Sequence, residues 1–210
     1  MEAASLRRFG PAGILAIAIV LLSGNIVLPN LLVLPLGAIL VLLWAEVSGT
    51  PWEEIGYVRP RGFAVALGVA TGVLLKLVLK YGVMPLLGAP RVNQAYHFLA
   101  GNTAILPTAI LGMCIVGFAE ETVFRGFFFE RLGKIIGDST AARITTVIVT
   151  SLLFAAAHYA SQGIFGSVQA TITGAVFGTM FALRRSIVPV MAAHAAFDLT
   201  ALAIIYLRLE

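Results

Sequence analysis

The sequence predicts an all-α, polytopic transmembrane helix bundle of about seven to eight helices. Of its 210 residues, 60% are hydrophobic and 11% are charged, whereas a soluble domain carries about a quarter charged residues. The mean hydropathy is +0.98. Apolar runs near the length needed to cross a bilayer, about 20 residues, recur along the chain between short polar turns. The whole chain, 1–210, reads as a single integral membrane domain.

The formal charge of +4 is a topological signal in such a chain. No Lys/Arg cluster interleaves with exposed aromatics, so the sequence points to no nucleic-acid partner. Cys114 stands alone, cannot form an internal disulfide, and sits in an apolar run as a small hydrophobe.

Arg7 and Arg8 precede a first helix expected over 11–28, which places the N-terminus in the cytoplasm and the protein in the cell membrane. Pro29-Asn30 turns the chain into a second span, Leu31 to Val47. The polar stretch 48–61 brings Trp52 and Tyr57, both suited to an interface belt, and a solvated Glu53-Glu54 pair. Gly62 to Leu87 is a third span, with Gly68 and Gly72 spaced for close packing. Lys76 and Lys80 share one face of it and read as snorkelling to the interface, with a role in meeting substrate charge as the alternative. A polar loop, 89–103, holds His97 as an interface residue. A fourth helix, 104–134, leaves the membrane through Arg131 and Lys134. Ser139 or Thr140 caps a fifth, which runs to Ala160. Ser161-Gln162-Gly163 turns into a sixth over 165–183, with Gly174 and Gly178 at packing spacing. After Arg184-Arg185 a last span covers 187–207.

Within this frame the fourth helix carries Glu120-Glu121 and Arg125. An ionisable group in a spanning helix costs about 2.5–3.5 kcal/mol on insertion scales, so each one is read as functional by default. Glu121 and Arg125 stand four apart and pair on one face. Glu120 points about 100° away from Glu121 and needs a partner from another helix. Counted at 1.5 Å per residue from the turn at Gly137, Glu120 stands about 25 Å up and His158 about 31 Å. From the Arg184-Arg185 turn, His194 stands about 18 Å up and Asp198 about 24 Å. The four groups fall within about two turns of one level, and Glu120 and Asp198 come near the middle of a core about 30 Å thick. A structural ion network pinning the helices together is the plain alternative to a site.

A buried glutamate is a candidate general base, and beside a histidine it can activate water for attack on a carbonyl. His194 and Asp198, four apart, share a face, so Asp198 is expected to orient the ring. A second histidine can stabilise the oxyanion. Alternatively Glu120, His158, His194 and Asp198 hold a zinc ion with an open position for water. The reaction class is amide hydrolysis in or near the membrane.

Glu120-Glu121-x-x-x-Arg125, Phe154-x-x-x-His158 and His194-x-x-x-Asp198, in this order on successive helices, resemble the CAAX-protease and bacteriocin-processing family of intramembrane proteases. The resemblance covers 104–205, which it makes the catalytic core; Pro51-Trp52 to Pro60 also looks like the family's segment ahead of that core. It implies Glu120 as the water-activating base and His158 as its partner. It further implies His194 with residue 198 as oxyanion stabilisers, and Glu121, Arg125 and Phe154 in support. Prenyl proteases often carry Asn at the last position; Asp198 cannot donate when ionised, which favours its orienting His194 or binding metal. The implied substrate is a membrane-associated protein or peptide, a prenylated CAAX-type C-terminus among the options, and no cofactor is predicted beyond the zinc alternative. Two other readings stay open: a non-catalytic scaffold or bacteriocin-immunity protein, and a proton-coupled transporter using the same groups as a relay.

Overall fold

The computed structural model describes residues 33–210. The first helix expected over 11–28 lies outside them. The described residues form α-helices α1 (Val33–Ser48), α2 (Gly62–Val78), α3 (Leu106–Glu121), α4 (Phe128–Ile136), α5 (Thr140–Arg184) and α6 (Val188–Tyr206). A π-helical turn, Leu79–Val83, extends α2 to Leu86, and a second, Thr122–Phe127, joins α3 to α4 without a break. A 3₁₀ helix, Gln94–Leu99, lies in the loop before α3.

Four helices among the described residues are long and apolar enough to cross a membrane: Gly62–Leu86, Leu106–Ile136, Thr140–Arg184 and Val188–Tyr206. The expected count of about seven to eight is not reached within them. One reason is α1, whose described part is shorter than a span. The other is the turn expected at Ser161-Gln162-Gly163, which takes a single residue. Gly163 alone leaves helical geometry (φ 64°, ψ −163°), a conformation glycine adopts without a Cβ penalty. The two halves of α5, 140–162 and 164–184, then run back along each other. Ser167 Oγ donates to Ala155 O at 2.8 Å, and a Cβ on Gly174 would sit 3.0 Å from Ser151 Cα. Ser139 caps the start of α5, its hydroxyl accepting from Ala142 N at 3.2 Å.

The centre of the bundle is the stretch from Glu121 to Arg131, buried without interruption. A helix buried all round is a core helix. Its aromatic side chains meet neighbours edge-on: Phe127 against Trp44 at 5.0 Å, Phe124 against Phe154 at 5.0 Å and Phe129 against Phe181 at 5.0 Å. Arg131 does not mark the helix's exit to water as expected. It is buried, paired with Glu130, its guanidinium 4.5 Å above the Trp44 ring.

The polar segment before α2 is also drawn inward. Ile55 is fully buried, and Ile187 N donates to Gly56 O at 2.8 Å. Tyr57, expected at a membrane interface, shares a 2.7 Å hydrogen bond with Thr122 of the π turn. Burial pushes its hydroxyl pKa up, and the Thr122 bond opposes the shift.

Gly68 and Gly72 let α2 lie directly on α6. A Cβ on Gly72 would stand 2.0 Å from Ala193 O and one on Gly68 2.2 Å from Pro189 O, whereas Gly82 has nothing within 4 Å of such an atom. Gly72→Ala is therefore expected to destabilise the protein by about 1–3 kcal/mol through overpacking, and Gly82→Ala to leave it nearly unchanged. Thermal unfolding in detergent checks this; equal shifts in the two variants would refute the close approach.

Candidate active site

The site is assembled from α3, the first half of α5, and α6. Its rigid part is Glu121. Arg125 Nη1 donates to Glu121 Oε1 at 2.9 Å, and His194 Nδ1 donates to the same oxygen at 2.6 Å. Both Glu121 and Arg125 are 0% exposed. The guanidinium also donates through Nη2 to Gly174 O at 3.1 Å and lies 5.0 Å over the Phe154 ring. Such a pair is held against its desolvation cost only by good geometry and further hydrogen bonds, and here two later helices supply them. The Glu121–Arg125 pairing expected from spacing is present; its third member, His194, was not foreseen.

That third member changes the role of Asp198. The carboxylate expected to orient the imidazole instead faces the opposite nitrogen, with Nε2 to Oδ2 at 3.5 Å. Glu121 orients the ring from Nδ1, the kind of support that fixes tautomer and direction. The reason is height: Glu121 ends α3 where a close approach, 3.0 Å from a Cβ on Gly117 to Ala195 N, brings α6 against it.

Glu120 stands on the other side of the same ring, its Oε2 3.7 Å from His194 Nε2. Oε2 is buried yet makes no hydrogen bond within the described residues. A buried polar atom left unsatisfied by the protein calls for a functional explanation.

His158 does not bond Glu120 directly. Its Nδ1–H donates to Phe154 O at 2.8 Å, one turn back on its own helix. That bond leaves Nε2 as the free acceptor of a neutral ring. Phe154 carries both imidazoles, its ring centre 4.4 Å from that of His158 and 5.9 Å from that of His194.

Among the described residues no three His, Cys, Asp or Glu side chains, Glu120, His158, His194 and Asp198 included, are placed to hold a metal ion.

Two further residues, Tyr96 and Lys76, stand within reach of the site's charges. Tyr96, in the loop ahead of α3, has its hydroxyl pKa pushed up to about 12 by burial and then by the carboxylates of Asp198 and Glu120. It stays protonated at neutral pH, and its hydroxyl accepts from Gln162 Nε2 at 3.2 Å. Its neighbour His97 stays outside, 3.7 Å from Glu210. Lys76, expected to snorkel, is 7% exposed. Its Nζ donates to Gln169 Oε1 at 3.2 Å and stands 4.9 Å over the Phe197 ring. The correction follows from packing: Gly72 brings α2 so close to α6 that the next turn is covered.

Residues 101–200 match the family model of the type II CAAX prenyl endopeptidases, Rce1-like. No curated protein and no solved structure matches the chain. The matched segment begins ahead of α3 and ends within α6, so it contains Glu120, Glu121, Arg125, His158, His194 and Asp198. With its motifs on three packed helices, that segment, residues 101–200, is what matches the CAAX-protease family in its type II, Rce1-like branch.

Proposed function

We propose that this protein is an intramembrane endopeptidase that hydrolyses a peptide bond in a membrane-associated protein or peptide, a prenylated CAAX-type C-terminus being one such substrate. The observation that carries the reading is Glu120: a carboxylate on a helix long and apolar enough to cross a membrane, its Oε2 free of any hydrogen bond within the described residues, facing an imidazole that is itself locked by a buried ion pair.

In this reading Glu120 takes a proton from water, while His158 Nε2 accepts the water's other hydrogen and aims it. The oxygen attacks the scissile carbonyl. His194, doubly protonated, donates Nε2–H to the developing oxyanion while Nδ1–H stays on Glu121. Asp198 then stabilises the imidazolium rather than the oxyanion, since an ionised carboxylate cannot donate. Collapse of the tetrahedral intermediate breaks the C–N bond, and Glu120 returns its proton to the leaving amine.

The test is cleavage of membrane-anchored peptides by the purified protein in vesicles, with the fragments read by mass spectrometry in ¹⁸O-water. One ¹⁸O is expected in the new carboxylate, and turnover is expected to persist with a chelator present. Turnover abolished by chelator and restored by zinc would replace the glutamate mechanism with a metal-assisted one. Unchanged peptides alongside proton-coupled flux would replace the protease with a transporter.

A further inference from the structure

The oxyanion in this mechanism has one N–H to accept from, and that N–H is contested. His194 Nε2 stands 3.5 Å from Asp198 Oδ2 and 3.7 Å from Glu120 Oε2. Once Glu120 has taken the proton of water, the ionised Asp198 still competes with the oxyanion for the Nε2–H. The other donors on these helices are turned elsewhere. His158 spends its Nδ1–H on Phe154 O, and Lys76 donates to Gln169 from above the Phe197 ring. A tetrahedral oxyanion is best held by several donors fixed in advance.

Tyr96 brings a neutral hydroxyl to this place, and contacts from two helices position it. Its ring packs on the cluster of Leu99, Ala109, Leu202 and Ile205, and Leu202 lies four residues beyond Asp198 on α6, one turn or about 5.4 Å. Its hydroxyl accepts from Gln162 Nε2 at 3.2 Å, and Gln162 lies four residues beyond His158 on α5. The pairing of Arg185 with Asp138 ties the start of α6 to the start of α5, so the two helices climb from one end of the bundle. The phenol therefore overhangs His158 and Asp198 from the same side. The carboxylates of Asp198 and Glu120 both act on it and help to keep it protonated, so it lies within electrostatic reach of each. The bond from Gln162 uses a lone pair and leaves the O–H hydrogen uncommitted among the described residues.

The backbone that carries Tyr96 is anchored at both ends of its 3₁₀ helix. Asn93 N donates to Glu210 Oε1 at 3.1 Å just before it, Gly101 N donates to Tyr206 O at 3.0 Å just after it, and Leu99 is buried. A donor held in this way needs little reorganisation as charge develops on the substrate.

We propose that Tyr96 is the second oxyanion donor, its O–H placed beside His194 Nε2–H, and that Gln162 is the positioning residue that turns it there. The phenol keeps its proton throughout. The oxyanion accepts the hydrogen bond as the oxygen of water bonds to the carbonyl carbon, and gives it up when the C–N bond breaks and the carbonyl returns. The inference rests on the endopeptidase reading.

The experiment uses the full chain in vesicles with a membrane-anchored peptide, the matching ester, and a phosphinate analogue that presents a tetrahedral anion. Tyr96→Phe keeps the ring on its cluster and removes only the hydroxyl. It is expected to lower kcat by about 10²-fold with KM little changed, and by a similar factor for amide and ester, since both pass through an oxyanion. The phosphinate is expected to bind about tenfold or more weakly. The uncleaved peptide is expected to bind equally to the Glu120→Gln protein and to Glu120→Gln with Tyr96→Phe, which also shows that the variant folds. Gln162→Leu is expected to lower kcat by less, and to add nothing in a protein that already carries Tyr96→Phe. Parental kcat and phosphinate affinity in Tyr96→Phe would overturn the proposal. A loss confined to the amide would overturn it too, making Tyr96 a proton donor to the leaving amine. A Gln162→Leu loss that multiplies with that of Tyr96→Phe would remove the positioning role. Cleavage by the parent and by Tyr96→Phe alike removes Tyr96 alone, whereas a parent that cleaves neither amide nor ester removes the endopeptidase and the role of Tyr96 with it.

Discussion

Replacing Arg125 by Leu is expected to cost about 3–5 kcal/mol of stability, because it strands a buried carboxylate. Glu121 is 0% exposed and its Oε2 already lacks a partner, so no water shell replaces the lost guanidinium. The Gly174 carbonyl loses its donor in the same step. Adding Glu121→Leu to that variant is expected to restore much of the stability, since a well-packed apolar pair often matches a buried ion pair. It is not expected to restore activity. His194 would then have nothing on Nδ1, and the ring that faces Glu120 would lose its direction. Thermal unfolding in detergent and peptide cleavage on the three proteins separate the two effects. A single variant that loses less than about 1 kcal/mol would mean the pair is effectively solvated. A double variant with full activity would mean that Glu121 does not position His194.

How far the sequence could be read follows from which forces act locally. The order of helices, the capping at Ser139 and the glycine seams depend on residues within a few positions of one another, and they are present as expected. So is the Glu121–Arg125 pair, one turn apart. The rise per residue brought Glu120, His194 and Asp198 to one level, and they meet there. What helix arithmetic could not reach was rotation. The π turn at Thr122–Phe127 adds a residue to the helical repeat, and the approach at Gly117 sets which carboxylate faces α6. The ring of His194 thus has Glu121 at Nδ1, which spacing could not show, and its i, i+4 neighbour Asp198 at Nε2. Lys76 was misread for a related reason. Snorkelling assumes a lipid-facing helix, and only the tertiary contact at Gly72 shows that this face is covered. Tyr96 carried no periodic signal because loops have none.

Glu120→Gln is expected to lower kcat by about 10²–10⁴-fold, the span usually supplied by a positioned general base, with KM little changed. Glutamine keeps the size and the hydrogen-bonding oxygen of Glu120 but cannot accept the proton from water. The substitution also removes no bond within the described residues from Oε2, because there is none to remove, so folding should be spared. Glu121→Gln is the informative contrast. Its amide oxygen can still accept from Arg125 and His194, so it should weaken the scaffold and lower kcat by less than Glu120→Gln does. The order of the two effects tests the division of labour between adjacent carboxylates: one held rigid by an ion pair, the other left free to carry a proton. If Glu120→Gln keeps kcat within about tenfold of the parent while Glu121→Gln abolishes it, the base is Glu121, and the buried salt bridge must open during each turnover. That outcome would demand motion in the most tightly packed part of the bundle, where Glu121 to Arg131 are buried without a gap.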